Sequence, residues 1–258
     1  MDISLAGRTA VVTGGSKGIG LAVAARFAAS GADVAIMARG REALDQAVAT
    51  IDTTARGRVL GVTGDVAVAT DIARCYGEIM RAFGKVDILV NNAGTSRTGA
   101  FEDITDELWQ QDFDQKLFAA IRLTRIVWPQ MKERRWGRVI NVLNIGAKAP
   151  RPGSAPTSVT RAAGMALTKV LSGEGGPHNV LVNALLVGFI EADQHVRTAA
   201  RMGIPLEAYM AQRSKDIALG RPGRAEEFAN IACVLVSDAG SYITGSAINV
   251  DGGRSPVV

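Results

Sequence analysis

Apolar positions in this chain come as short runs, separated by longer stretches in which they recur every three or four residues. The runs Thr9–Val12, Val34–Met37, Val59–Val62, Ile88–Val90, Arg138–Val142, Val180–Leu185 and Ala247–Val250 predict strands. The stretches Leu21–Ala29, Glu42–Thr53, Ala69–Phe83, Asp106–Lys132, Ser158–Leu171 and Ala225–Ser237 predict helices. Strands apolar on both faces and alternating with helices imply a parallel sheet covered on both sides, with right-handed crossovers. No Pro/Ser-rich linker, repeat or low-complexity tract breaks the alternation, so residues 1–258 read as one α/β domain. Only Ile190–Leu219 falls outside it, as a helical insertion placed to act as a substrate lid.

The first strand runs into Gly14-Gly15-Ser16-Lys17-Gly18-Ile19-Gly20 and then into helical spacing. Strand, glycine-rich turn and helix together make a place for a diphosphate. Free N–H groups and the positive end of the helix dipole face the anion, and missing side chains let backbone approach it. The spacing Gly-x-x-x-Gly-x-Gly is one residue off the commoner G-x-G-x-x-G, and alone it also suits a plain tight connection. In such a sheet ligands bind outside the carboxyl ends of the strands. That selects Gly14–Gly20, Ala38-Arg39, Asp65-Val66, Asn91-Asn92-Ala93-Gly94, Leu143-Asn144-Ile145-Gly146 and Val187-Gly188-Phe189-Ile190.

Composition narrows the classes. Apolar residues are 47% of 258, enough for a sizeable core, and no stretch is long and apolar enough to span a bilayer. Met1-Asp2-Ile3-Ser4-Leu5-Ala6 lacks the regions of a signal peptide. Cys75 and Cys233 sit in apolar helical patterns without a partner motif, as reduced core residues of a cytoplasmic protein would. The net charge of +4 is scattered, and its densest cluster, Lys132-Glu133-Arg134-Arg135, closes a predicted helix at its negative dipole end. With aromatics at 5%, no stacking platform accompanies a basic stripe. Nucleic acid, membrane and metal are not expected as partners.

Several motifs share one order and spacing: Thr13 to Gly20, Asp65-Val66, Asn91 to Gly94, Arg138 to Val142, Val182-Asn183-Ala184, Gly220-Arg221-Pro222-Gly223 and Tyr242 to Gly253. In them the chain resembles the classical short-chain dehydrogenase/reductase family over essentially its whole length. The resemblance implies a Rossmann-type doubly wound sheet of seven parallel strands, a nicotinamide dinucleotide, a small carbonyl or alcohol substrate and a homotetramer. It carries Gly14, Ser16, Lys17, Gly18, Ile19 and Gly20 onto the cofactor, with Asp65 at the adenine edge and Val66 over its face. Asn91, Ala93 and Gly94 would continue the cofactor floor (Asn91 could equally cap its strand), and Gly188 and Ile190 would follow beyond the sixth strand.

A carboxylate at the end of the second strand suits the ribose 2′-OH of NAD, and a basic residue suits the 2′-phosphate of NADP. Here that place is Ala38, followed by Arg39, with Lys17 nearby in the turn. NADP(H) is therefore expected over NAD(H).

The family's catalytic Tyr and Lys lie four residues apart on one helix, with a Ser on the preceding loop and an Asn on the previous helix. In this chain those places fall on Thr157, Arg161, Asn144 (Leu143 if the loop is shifted by one) and Lys116, all four changed. A Thr hydroxyl is shorter and far less acidic than a phenol. Arg161 stays protonated but could hold ribose hydroxyls, also serving the cofactor, and the Asn144 amide could face a carbonyl oxygen. Lys116 lies among Phe113, Leu117, Phe118, Ala120 and Ile121. It either snorkels to solvent or, as the resemblance places it, enters the pocket beside Arg161 with a depressed pKa. Lys148 is a second cation after the fifth strand. Val187 and Ala192 replace a Pro and a Thr of the family, and Ser172-Gly173-Glu174-Gly175-Gly176 should weaken its helix end.

Three readings follow: an NADP(H)-dependent oxidoreductase with a rebuilt site, a non-catalytic dinucleotide-binding protein, and a lyase or isomerase without hydride transfer. In the first, Lys116 is acid/base or carbonyl polariser and Asn144 orients the oxygen. Polar or cationic residues at all four changed places favour it. By resemblance, Asp106–Lys132 and Ser158–Leu171 should pair with their copies across a two-fold, and Asn249–Val258 should cover a second interface.

Overall fold

A computed structural model describes residues 3–258; Met1 and Asp2, the start of the predicted domain and of the segment read as lacking a signal, lie outside the described residues. Seven strands form one parallel sheet: β1 (Thr9–Thr13), β2 (Asp33–Ala38), β3 (Val59–Thr63), β4 (Ile88–Asn91), β5 (Gly137–Asn144), β6 (Val180–Val187) and β7 (Ala247–Val250). Their order is β3-β2-β1-β4-β5-β6-β7. This is the Rossmann-type doubly wound arrangement, and its order reverses between β1 and β4, which opens a crevice at their carboxyl ends.

The apolar runs exist because the sheet is buried on both faces. In β1, Ala10 and Val12 join one core with Phe27, Ile36 and Phe228. Val11, between them, joins the other with Leu89, Ile79 and Met131. Helices α1 (Gly18–Ala29), α2 (Arg41–Asp52) and α9 (Ala225–Val236) supply the first layer, and α3 (Ala69–Phe83), α5 (Ala119–Glu133) and α6 (Thr157–Gly175) border the second.

One expectation about the helices needs correction. Asp106–Lys132 is not one helix: α4 (Asp106–Phe113) passes into a π-helical turn, Asp114–Phe118, before α5 begins. The wider turn shifts the helix phase, and Lys116 lies buried within it. The glycines after Ser172 do not stop α6, which continues to Gly175. A Cβ there would lie 2.4 Å from the Val180 carbonyl oxygen and 3.0 Å from the Trp128 ring, so this glycine lets the helix end sit against the start of β6.

The stretch 190–219 holds two further helices, α7 (Asp193–Met202) and α8 (Leu206–Ser214). They pack around a small separate cluster of Phe189, Ala199, Tyr209 and Ile217. Among the described residues no helix is long and apolar enough to cross a membrane. Cys75 and Cys233 are free and buried.

Candidate active site

The glycine turn after β1 is stitched to the loop after β4. Asn92 Nδ2 donates to the carbonyls of Thr13 (2.9 Å) and Gly14 (3.2 Å), and Thr13 Oγ1 accepts from the backbone N–H groups of Asn92 and Ala93, both at 3.0 Å. From this turn α1 starts bare: its N-cap, Lys17, makes no side-chain cap, and its first turn carries no acid. Such a helix start keeps backbone donors for an outside anion.

The turn opens into a cleft of about 1050 Å³. Sixteen of the eighteen residues assigned from the sequence to cofactor or catalysis line it: Gly14, Ser16, Lys17, Gly18, Ile19, Gly20, Arg39, Asp65, Val66, Ala93, Gly94, Asn144, Thr157, Arg161, Gly188 and Ile190. Leu143 lines it too, beside Asn144. At one end Arg39 is exposed, with Nη1 3.9 Å from Asp65 Oδ2. Asn91 and Lys116 lie beneath the cleft instead of lining it. Asn91 ends β4 on the side facing α5 and α6, where Nδ2 donates to Asn141 Oδ1 (2.9 Å) and Thr124 Oγ1 (3.4 Å). It is part of a buried chain that continues to Thr168, and strand alternation explains why its neighbour Asn92 takes the cleft. Lys148 turns away, donating to the Ala247 carbonyl at 2.7 Å.

Below the floor lies a polar network. Lys116 and Asp112, four residues apart, have side chains 1% and 0% exposed and form an ion pair. Lys116 Nζ also donates to Thr157 Oγ1 at 2.8 Å. Thr157 Oγ1 accepts from Arg97 N (2.9 Å) and donates to Arg97 O (2.7 Å), so its hydrogen-bonding capacity is filled. Asp112 in turn accepts from Thr160. Arg161 Nη1 donates to the Val142 carbonyl at 2.5 Å, while its Nε and the Asn144 Oδ1 are buried without partners. Gly94 crosses directly above: a Cβ there would meet Arg161 Nη2 at 2.9 Å and Lys116 Cγ at 3.3 Å.

Burial sets the electrostatics. It pushes Lys116 down to about 8; Asp112 opposes the shift and Arg161 adds to it. Burial likewise lowers Arg161 to about 10, against the pull of Asp112. Sequence reasoning missed Asp112, although an acid four residues before a lysine in an apolar helix was its signal. Arg97, which contacts Thr157 through its backbone, left no signal. Neither did Arg151, Arg213 and Arg254, which come from three distant segments yet line the same cleft.

The family profile described as Enoyl-(Acyl carrier protein) reductase matches residues 14–255. The chain belongs to the short-chain dehydrogenase/reductase family. It is 34% identical to the short-chain reductase protein NovJ of Streptomyces niveus, over 95% of this chain and 93% of that one. Identity is 35% with dehydrogenase/reductase SDR family member 4 of Homo sapiens, over 96% and 88% of the two chains. L-sorbose reductase from Gluconobacter frateurii, solved in complex with NADPH and L-sorbose, is similar with a TM-score of 0.97 and 34% identity, covering 100% of both chains.

As a short-chain dehydrogenase/reductase the protein is an NAD(P)-dependent oxidoreductase, and the residues present fit such a cofactor. The bare start of α1 can receive a diphosphate. The turn ahead of it is open, with Gly18 at φ +54° and nothing within 4 Å of where its Cβ would stand. Asp65 and Val66 line the cleft beyond β3, and Asn144 and Arg161, whose Oδ1 and Nε are buried without partners, line the same cleft.

Proposed function

We propose that this short-chain dehydrogenase/reductase is an NADP(H)-dependent reductase of a carbonyl substrate, working through a rebuilt site. In it Lys116, Asn144, Thr157 and Arg161 replace the family's Asn, Ser, Tyr and Lys. The observation that carries the reading is the buried Lys116 ammonium 2.8 Å from Oγ1 of Thr157, a residue that lines the cleft.

When bound, the nicotinamide supplies the hydride. Arg161 and the Asn144 amide face the substrate oxygen and hold the negative charge that develops there. Thr157 releases its proton from Arg97 O to that oxygen and takes a replacement from Lys116 in the same event, so no free Thr alkoxide forms. Asp112 keeps Lys116 charged against burial. In alcohol oxidation the proton runs the other way, onto neutral Lys116.

The preference for NADP(H) rests on Lys17 and Arg39 at the cleft end where β2 finishes in Ala38 rather than an acid. The stretch 190–219 serves as lid within a single domain of residues 1–258. Assembly as a homotetramer is supported by the apolar Val159 and Val170 exposed on α6 and by the exposed tail residues Val257 and Val258. Free buried thiols suit the reducing cytoplasm.

The test is NADPH consumption over a panel of aldehydes and ketones, with NADPH binding measured separately by calorimetry. Lys116→Met should abolish turnover and leave NADPH bound. A native protein that binds NADPH tightly and reduces nothing would put the non-catalytic reading ahead, and an unimpaired Lys116→Met would remove Lys116 from the chemistry.

A further inference from the structure

We infer that the substrate carries an oxyanionic group, a carboxylate or a phosphate, and that Arg151, Arg213 and Arg254 receive it. The inference rests on the reductase reading above and names the class of substrate for that same cleft.

The three arginines come from the loop after β5, from α8 and from the C-terminal tail, and all line the cleft. Two of them share one ring: the guanidinium carbons of Arg213 and Arg254 each stand 5.5 Å from the centroid of Phe189. Burial lowers the pKa of Arg254, and the charges of Arg213 and Arg151 lower it further, so both act on Arg254. Arg254 Nε is buried without a hydrogen-bond partner.

Several other arginines in this fold find carboxylates: Arg58 pairs with Asp33, Arg74 with Asp71 and Glu78, Arg122 with Asp114, and Arg221 with Glu227. Among the described residues none of the three cleft arginines forms an ion pair. The nearby acids are committed or too far. Asp251 accepts from the backbone N–H groups of Gly253 and Ser255. Asp216 acts on Arg254 only through its field. Glu191 also lines the cleft, and its charge acts on Arg221. Like charges gathered at one cleft without a counter-ion repel one another, and the buried Arg254 Nε is left unfilled; a bound oxyanion corrects both.

The cofactor is not that oxyanion. Its phosphates belong at the bare start of α1, after β1, and beside Arg39, after β2. Phe189 follows β6, four strand spacings from β2, or roughly 19 Å across the sheet. The nicotinamide end of a dinucleotide carries no phosphate. The anion that fills the arginine end is therefore part of the other reactant.

The test compares matched carbonyl pairs at low salt: succinic semialdehyde against its methyl ester, and glyceraldehyde 3-phosphate against glyceraldehyde. The charged member of at least one pair should have a kcat/KM tenfold or more above its neutral partner, and the pair that responds tells carboxylate from phosphate. In R213A/R254A that ratio should fall to near one; R213A alone, a change at an exposed residue, should lower it in the same direction. Equal kcat/KM within both native pairs, or a ratio unchanged in the variants, overturns the inference. A separate arm needs no turnover: calorimetric titration of the NADPH-loaded protein with malonate and with inorganic phosphate. One of them should bind the native protein and bind R213A/R254A at least tenfold more weakly, with NADPH affinity unchanged. Should no carbonyl be reduced, the reductase reading fails and this arm alone decides the anion site; no binding, or equal binding by both proteins, overturns it.

Discussion

Asp112 accepts a hydrogen bond from Thr160 at 2.6 Å with one carboxylate oxygen and holds Lys116 with the other. A single buried acid thus ties α4 to α6. Removing one partner of a buried ion pair leaves the other charge uncompensated, at a cost of about 3–5 kcal/mol. Lys116→Met should therefore be markedly less stable in urea than the native protein, and Lys116→Met with Asp112→Asn should recover most of the loss. Equal stability of the single and double variants would show that Asp112 finds compensation elsewhere.

The same lysine sets a pH dependence. Its pKa of about 8 lies below the ordinary lysine value because burial disfavours the charged form. Reduction consumes the ammonium, so kcat for reduction at saturating NADPH should be level below that value and fall as pH rises through it. Oxidation needs the neutral amine and should rise over the same range. A reduction rate still level at about pH 9.5 would contradict a role for Lys116 as proton source.

Gly94, itself a residue of the cleft, crosses against Lys116 and Arg161 with no side chain of its own. Gly94→Ala would push against Arg161 and Lys116 together. A displacement of about 1 Å in such a site costs on the order of a hundredfold in rate. Steady-state kinetics should show most of that in kcat.

Arg39 is 68% exposed and reaches Asp65 only at 3.9 Å, so this contact does not keep it from a phosphate. A hydrogen bond to a charged group is worth about 1.5–3 kcal/mol, so NADPH should bind some tenfold to a hundredfold more tightly than NADH. Arg39→Asp should reverse the order. Equal affinities in the native protein by calorimetry would refute the preference.

Light scattering at micromolar concentration should give four times the chain mass of 27.0 kDa. Charge placed at the exposed Val159 and Val170 of α6, as Val159→Glu with Val170→Glu, should lower that mass.

The strands were legible because the runs of the five inner strands are buried on both faces. The edge strands β3 and β7 are half-buried apolar runs, and all seven runs fall within observed strands. The π-helical turn was not, since apolar spacing through Phe113, Leu117 and Ile121 continues across it, and a one-residue phase shift leaves no gap in composition. Asn91 was assigned to the cleft on a motif, while alternation along β4 puts it on the same side as Leu89, away from the cleft. Asp112 was missed because its two partners, Lys116 and Thr160, reach it from separate elements and are brought together only by the fold. Arg213 and Arg254 meet at Phe189, and Arg151 reaches the same cleft, only through the folding of three segments, which no local pattern records.

The bare start of α1 also bears on the heat resistance of the protein. A helix that leaves its first amides to a visitor is complete only when the visitor is present, so part of the native state is supplied by mass action. At a cofactor concentration a hundred times its dissociation constant the gain is about 2.7 kcal/mol. For a chain of this size that corresponds to a rise of roughly 5–10 °C in melting temperature. The loaded and empty forms thus differ in durability as well as in chemistry, and in a cell poor in the nucleotide the empty form is the one exposed first to unfolding and proteolysis.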